Sequence, residues 1–196
     1  MASRSQPFRR IEHGWYRGTP GTDAIAWALA QETALDAVKP NDFVNFSNRR
    51  WQGFLAERAF DRWLEQLGVP RVWNGGADPD PDFVVAGVGT GLKSRGFTTS
   101  WRPNFVVNVF DRHRAHPEEV ELFFTAVQRP KSGTTATAVL LLGGLPQAEY
   151  FARATEVKPG EMINPLEVAK NHVWNLECRL LEPPDEWLAR VISAAN

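Results

Sequence analysis

Two charged residues of opposite sign lie on either side of a hairpin pattern in this sequence. Asp82 follows a turn rich in proline and aspartate and directly precedes the apolar run Phe83–Ala86. Lys93 lies on the next strand-like segment, after the turn Ala86-Gly87-Val88-Gly89. Because two strands joined by a tight turn are antiparallel neighbours, we expect Asp82 and Lys93 to meet at one end of the pair.

A carboxylate beside an ammonium group on rigid strands suits metal-assisted hydrolysis of a phosphodiester. Asp82 would bind Mg²⁺ or Mn²⁺, because a hard cation prefers oxygen ligands. The cation would polarise the phosphate and lower the pKa of a bound water. Lys93 would steady the attacking hydroxide or the charge that develops on phosphorus. Taken alone, Asp82 is more simply explained as part of a polar turn and Lys93 as an edge-strand charge.

The elements around these residues predict a mixed α/β chain. Helices are predicted over 24–38, Arg49–Leu67, Pro146–Ala154 and from Pro184 onward. Segments rich in Val, Phe and Thr predict strands at Arg71–Trp73, Phe83–Ala86, Thr90–Ser94, Asn104–Phe110, Val120–Val127, Thr135–Leu142 and His172–Arg179. Because helices and strands do not alternate strictly, we expect an α/β sandwich with a mixed sheet.

Several segments resemble the PD-(D/E)XK nuclease superfamily, which has the restriction-endonuclease-like fold. Pro81-Asp82 is similar to the first half of the superfamily motif, and Gly91-Leu92-Lys93 matches the second half at the lysine. The helix Trp51–Phe60 resembles the one that precedes the core strands in many members. Leu141–Phe151 resembles a buried strand that leads into a helix. The resemblance implies a mixed β-sheet flanked by helices.

The resemblance spans roughly residues 48–182. We therefore expect an N-terminal extension with one helix over 1–47, followed by a nuclease-like core domain over 48–196.

Glycine stands at position 91, where the superfamily normally has a second metal-binding acid. Glu57 is the first candidate to replace it, since helical periodicity puts Glu57 at the edge of the apolar face of its helix, although a surface ion pair would also explain it. Asp80 is the second, two residues before Asp82. By resemblance, we predict Asp82, Lys93 and Glu57 as catalytic residues, and Asp82, Glu57 and Asp80 as metal ligands.

Charge is unevenly distributed in a chain of formal net charge −1. Basic residues exceed acidic ones between positions 92 and 131, and the reverse holds between 145 and 196. The positive stretch favours a polyanion such as DNA at one face, although chance clustering would look the same. The predicted phosphate contacts are Arg95, Arg102, Arg112, Arg114, Gln128 and Lys131. Trp101 could stack on a base or anchor a loop.

Composition excludes several other classes of protein. In 196 residues, 43% hydrophobic and 23% charged content indicates a folded domain. The longest apolar run, Ala138–Leu142, is too short to cross a bilayer, and the basic start lacks the apolar stretch of a secretory signal. Cys178 alone forms no internal disulfide, so we expect a cytoplasmic protein. Gly87–Ser94 lacks the helix start of a phosphate-binding loop, and the pair His113 and His116 lacks further zinc ligands.

Together with the resemblance, the sequence therefore predicts a Mg²⁺- or Mn²⁺-dependent DNA nuclease with a degenerate motif, acting in endo or exo mode. A homodimer is compatible with this hypothesis, since cutting two strands needs two sites. The alternative is a catalytically inactive nuclease fold that serves nucleic-acid binding or assembly, for which Gly91 is the main argument. A third possibility is a protein without affinity for nucleic acid.

Overall fold

The computed structural model describes residues 7–38, 50–75, 81–116, 118–130, 134–164 and 167–195. These residues form a mixed α/β architecture, as predicted. The described helices are α1 (Thr22–Val38), α2 (Arg50–Gln66), α3 (Gln147–Arg153) and α4 (Pro184–Ala194). Each lies where the sequence predicts a helix. Within the described ranges, every helix is too short or too polar to cross a lipid bilayer.

The strands form one large and two small sheets. In chain order they are β1 (Arg9–Arg10), β2 (Tyr16–Gly18), β3 (Arg71–Trp73), β4 (Phe83–Val85), β5 (Val88–Phe97), β6 (Val106–Phe110), β7 (Glu121–Gln128), β8 (Ala138–Pro146), β9 (Thr155–Val157), β10 (Met162–Asn164), β11 (Glu167–Val168) and β12 (Val173–Glu177). The large sheet has the order β1-β2-β8-β7-β5-β4-β3, and the small ones are β6-β12-β9 and β10-β11. All seven predicted strand segments contain a strand. The strands β1, β2, β9, β10 and β11 are too short for the sequence pattern to predict.

The chain divides into two compact units. Unit 1 comprises Met1–Val69, Ser94–Ser100 and Thr125–Leu141, and unit 2 comprises the remaining residues, Pro70–Lys93, Trp101–Phe124 and Leu142–Asn196. The strands β5, β7 and β8 contribute residues to both units.

Unit 1 is organised around the apolar face of α2. Trp51, Leu55 and Trp63 recur at helical spacing and are almost fully buried, which explains why this segment folds as a helix in this unit. Gly68 ends the helix with a φ of 67°, where its amide donates to the Glu65 carbonyl. The segment before α1, part of the predicted N-terminal extension, includes β2, which pairs antiparallel with β8.

Unit 2 contains the hairpin that the sequence predicts. The strands β4 and β5 are antiparallel, with Phe83 opposite Thr90 and Val85 opposite Val88. The connecting residues Ala86 and Gly87 both have positive φ, at 48° and 87°, as a two-residue turn of this kind requires. The turn therefore sets the register of the two strands, and the next position beyond Phe83 and Thr90 brings Asp82 beside Gly91.

Candidate active site

The hairpin brings Asp82 and Lys93 together, as the sequence predicts. Asp82 lies directly before β4, and its Oδ2 accepts a hydrogen bond of 2.6 Å from the Leu92 amide across the hairpin. The Nζ of Lys93 lies 4.0 Å from the same oxygen. Both side chains are partly buried. The backbone hydrogen bond fixes the aspartate on a rigid hairpin, so the carboxylate and the ammonium share one small site.

A third charged residue, which sequence reasoning missed, completes this cluster. Glu119 lies just before β7 and is only 7% exposed. Its Oε1 accepts a hydrogen bond of 2.8 Å from the Nζ of Lys93. The ammonium of Lys93 therefore lies between two carboxylates that come from different parts of the chain.

The glycine at position 91 makes room for Glu119. A Cβ added to Gly91 would lie 2.5 Å from the Cδ of Glu119 and 2.7 Å from each of its carboxylate oxygens. Such contacts are closer than van der Waals packing allows, so a larger residue would displace the glutamate. The acid missing from β5 is thus replaced in space by an acid from the segment before β7. One sequence signal could have found it, because Glu119 precedes a predicted strand as Asp82 does.

In the described part of the chain, the second oxygen of Glu119 has no donor at ordinary hydrogen-bond length. Oε2 is buried, and the Nδ1 of His113 lies 3.5 Å away, a long contact that still helps to lower the pKa of Glu119. His113 also contacts the Lys93 ammonium, with Nδ1 3.3 Å from Nζ. A buried carboxylate oxygen without a donor is costly in a folded protein, so this atom is available to a positively charged ligand.

The backbone beside His113 is held by Gln147, the first residue of α3. The side-chain Nε2 of Gln147 donates to the carbonyl of His113 at 2.9 Å and to the carbonyl of His116 at 3.2 Å. His116 in turn lies 2.7 Å from Glu118, between Nδ1 and Oε1. The short 3₁₀ helix that carries His113 is therefore fixed against α3. Both histidines belong to this network of hydrogen bonds.

The two carboxylates respond oppositely to their surroundings. For Glu119, burial alone would raise the pKa, but the interactions with His113 and with the Lys93 ammonium outweigh it and lower the pKa from 4.5 to about 2. For Asp82, burial is also the largest influence, and here it prevails over Lys93 and the Leu92 amide, so the pKa is raised. Nearby Glu119 adds to this rise. The site thus places Glu119, whose pKa is lowered, next to Asp82, whose pKa is raised.

Asp82 and Glu119 are the described residues of this cluster that could hold a divalent cation. Asp82 and Glu119 offer the oxygen ligands that Mg²⁺ prefers, and a cation would compensate both the unpartnered Oε2 of Glu119 and the burial of Asp82. In the part of the chain that the structure describes, no group of three or more His, Cys, Asp and Glu side chains is arranged to hold a metal ion. The protein would therefore supply two carboxylates, and water or substrate oxygens would complete the coordination, as is common for Mg²⁺.

The structure tests neither of the other two predicted ligands. Glu57 lies on α2 in unit 1, where its side chain is partly buried. Its role as a metal ligand stays a prediction. Asp80 and Lys131 lie outside the described residues.

The predicted phosphate contacts fall into different environments. Arg102, Arg112 and Arg114 are exposed, while Arg95 is partly buried. Arg114 stacks over Trp174 with its guanidinium carbon 4.8 Å from the ring centroid.

Two further residues from the basic region have contacts within their own units. Gln128 accepts a hydrogen bond of 3.3 Å from Arg17. Trp101 packs edge-on against Phe105, with 5.2 Å between the ring centroids, which agrees with the loop-anchor interpretation.

Comparison with known proteins identifies no relative. No protein-family model matches the chain, and neither the curated proteins nor the solved structures include a match. The functional interpretation therefore depends on the geometry of the Asp82, Lys93 and Glu119 cluster.

Proposed function

We propose that this protein is a metal-dependent nuclease that hydrolyses phosphodiester bonds of DNA, built on a restriction-endonuclease-like sheet flanked by helices. The observation that carries the proposal is the position of Glu119 over Gly91, beside Asp82 and Lys93. In the resembling superfamily, an acid at the position of Gly91 completes the same set. Here the acid would come from the start of β7 instead.

In this proposal Asp82 and Glu119 hold Mg²⁺ or Mn²⁺. When bound, the cation polarises a phosphate oxygen and lowers the pKa of a water. Glu119 is suited to this role because Lys93 and His113 keep it ionised, so it needs no deprotonation. Glu57 and Asp80 stay candidates for additional ligands.

Lys93 would place a positive charge at the reacting phosphate. Its ammonium is held from three sides by Glu119 at 2.8 Å, His113 at 3.3 Å and Asp82 at 4.0 Å. This fixed position is useful because a preorganised charge stabilises a developing negative charge without reorganisation during the reaction. Lys93 therefore has the surroundings of a positioned catalytic group.

The residues around His113 support a polyanionic substrate. Arg112 and Arg114 lie on either side of His113 in the 3₁₀ helix Asp111–Ala115, and both side chains are exposed. Exposed arginines beside the cluster would contact the phosphates that flank the scissile bond and would position the substrate. Arg102 and Arg95 are further candidates from the same basic region of the sequence.

The test is cleavage of a supercoiled plasmid with Mg²⁺, with Mn²⁺ and with EDTA. Wild type should cut only with a divalent cation. Asp82→Asn, Lys93→Met and Glu119→Gln should each lower the rate by about 10²–10⁴-fold, as expected for loss of a group that acts on the transition state. The matched control is Glu149→Gln, which removes a carboxylate of a surface ion pair with Arg153 and should keep the rate.

Equal activity of wild type and the three site variants would refute the enzyme hypothesis. If DNA still binds under those conditions, with a salt dependence that falls in Arg112→Gln and Arg114→Gln, the chain is a binding protein that uses the same face.

The form of the cleaved plasmid tests whether the protein acts as a dimer. A dimer with two sites should linearise the plasmid, whereas a single site should first nick it.

A further inference from the structure

A small cavity in unit 1 is independent of the proposed nuclease site. It has a volume of about 130 Å³. Phe8, Pro20, Leu55 and Val139 provide apolar walls, and Arg58 and Arg62 on α2 provide positive charge. A cavity of about 150 Å³ can hold a ligand the size of benzene, so this one has room for a small ligand or for one functional group of a larger ligand.

The two arginines have buried donors without acceptors. Among the described residues, the Nε of Arg58 and the Nη1 of Arg62 are shielded from solvent and have no hydrogen-bond partner. Buried donors of a charged group are normally satisfied, because leaving one unpaired costs more than the net value of a typical hydrogen bond. Both side chains also line the cavity, so an acceptor bound there would lie beside two guanidinium groups whose donors the described fold does not fully use.

Helical spacing puts both arginines on the same face of α2. Arg58 and Arg62 are four residues apart, and side chains at this spacing are neighbours on one face of a helix. Both line the cavity. Arg58 is further held by Trp27, over whose ring its guanidinium carbon lies at 5.0 Å from the centroid. This contact restrains Arg58 before any ligand binds, which reduces the entropic cost of binding.

We propose that this cavity binds the phosphate group of a small phosphate ester or inorganic phosphate itself. Two adjacent guanidinium groups call for more than one negative charge, and a phosphate monoester carries about −1.5 to −2 at pH 7, whereas a carboxylate carries one. Guanidinium also matches phosphate through pairs of parallel hydrogen bonds. The apolar walls strengthen these bonds by excluding water.

The test uses inorganic phosphate as the probe, with calorimetry and thermal unfolding of the full-length protein at neutral pH. Wild type should bind phosphate and unfold at a higher temperature in its presence. Arg58→Gln and Arg62→Gln should each weaken binding about tenfold or more, since each loses a hydrogen bond to a charged group. Arg153→Gln, which removes a surface arginine paired with Glu149, should bind like wild type.

Arg58→Lys keeps the charge but loses the planar donors, so it should bind more weakly than wild type and more strongly than Arg58→Gln. Far-UV circular dichroism of every variant separates lost binding from lost folding. Phosphate binding that is absent in wild type, or equal in wild type and the two glutamine variants, would overturn the proposal. Tighter binding of acetate than of phosphate would overturn it as well. Methyl phosphate in place of phosphate distinguishes an ester ligand, which should bind at least as tightly, from the free ion.

Discussion

Glu119 and Glu121 lie two residues apart at the start of β7, and both are buried, but their oxygens are used differently. Glu121 accepts three hydrogen bonds, two from Arg190 at 2.6 and 2.9 Å and one from the Trp187 indole at 3.0 Å. Among the described residues, Glu119 accepts one at ordinary length, from Lys93, and its Oε2 has only the long contact of 3.5 Å with His113. The same residue type in the same segment thus has short hydrogen bonds to both oxygens in one case and to a single oxygen in the other.

The difference separates a carboxylate whose oxygens are used by the fold from one that keeps an oxygen accessible to a proposed ligand. Both donors to Glu121 come from α4, so the carboxylate ties this helix to β7, and in return its hydrogen bonds raise the pKa of Arg190. Each oxygen of Glu121 thus has at least one donor within the fold. Glu119 is packed against Gly91, and its Oε2 has no short hydrogen bond among the described residues, so a bound ligand could supply one.

The largest effect should come from breaking the Glu121 network. Glu121→Gln removes the charge that pairs with Arg190. Because Arg190 is partly exposed and also pairs with Glu182, the cost should lie near the lower end of the range of about 3–5 kcal/mol for losing one partner of a buried ion pair. The free energy of unfolding, measured by urea denaturation, should fall by about that amount. Plasmid cleavage per folded molecule should stay unchanged. Glu149→Gln is the control, because a surface pair contributes about 0–1 kcal/mol. A loss as small as that of the control would mean that the hydrogen bonds of Glu121 do not stabilise the fold.

The second largest effect should be a loss of stability at low pH, and its sign follows from the lowered pKa of Glu119. The pKa is about 2 in the folded protein against 4.5 as the ordinary value, so the folded state gains stability from the ionised carboxylate above about pH 4.5. That contribution, at most about 3 kcal/mol, is lost as the pH falls from about 4.5 to 2. Glu119→Gln should therefore be less stable than wild type at pH 7, and the gap should close toward pH 2. A gap that is constant over this range would contradict the assigned ionisation.

The sequence predicts the pair Asp82 and Lys93 but not Glu119, because only the first two are brought together by local chain geometry. Asp82 and Lys93 are joined by a two-residue turn, so their approach follows from local hairpin geometry. Glu119 is 26 residues from Lys93 along the chain, and its approach depends on which strand lies next to β5. Local pattern does not determine that neighbour. The helix α2 was predictable from its apolar spacing, whereas β2 has three residues, and its place in the large sheet depends on pairing with the distant strand β8.

A smaller effect tests the fit between Gly91 and Glu119 directly. Gly91→Ala introduces a Cβ that would lie 2.5 Å from the Glu119 carboxyl carbon, and such overpacking costs about 1–3 kcal/mol. In the background of Glu119→Ala, the same change should cost almost nothing. A double-mutant cycle by urea denaturation measures the coupling, and additive effects would contradict the packing. Gly91→Asp combined with Glu119→Ala should recover part of the cleavage lost in Glu119→Ala, because it returns an acid to the site from β5.

The smallest effect is a change in stability, and its sign should be opposite to that for the glutamates. Replacing Asp82 should stabilise the protein, whereas replacing Glu119 or Glu121 should destabilise it. Burial raises the pKa of Asp82, so its ionised form destabilises the folded protein at neutral pH, and this penalty disappears as the pH falls through its folded pKa. Asp82→Asn should therefore be slightly more stable than wild type in EDTA at pH 7. The gain should stay below about 1 kcal/mol, because the amide oxygen accepts the Leu92 hydrogen bond more weakly than the carboxylate does. Added Mg²⁺ should stabilise wild type and reverse this order, since a ligand that binds only the folded state adds to its stability. Thermal unfolding of both proteins, with and without Mg²⁺, measures the two differences. Destabilisation by Asp82→Asn in EDTA would mean that Asp82, like Glu121, holds the fold together and is not kept for a ligand.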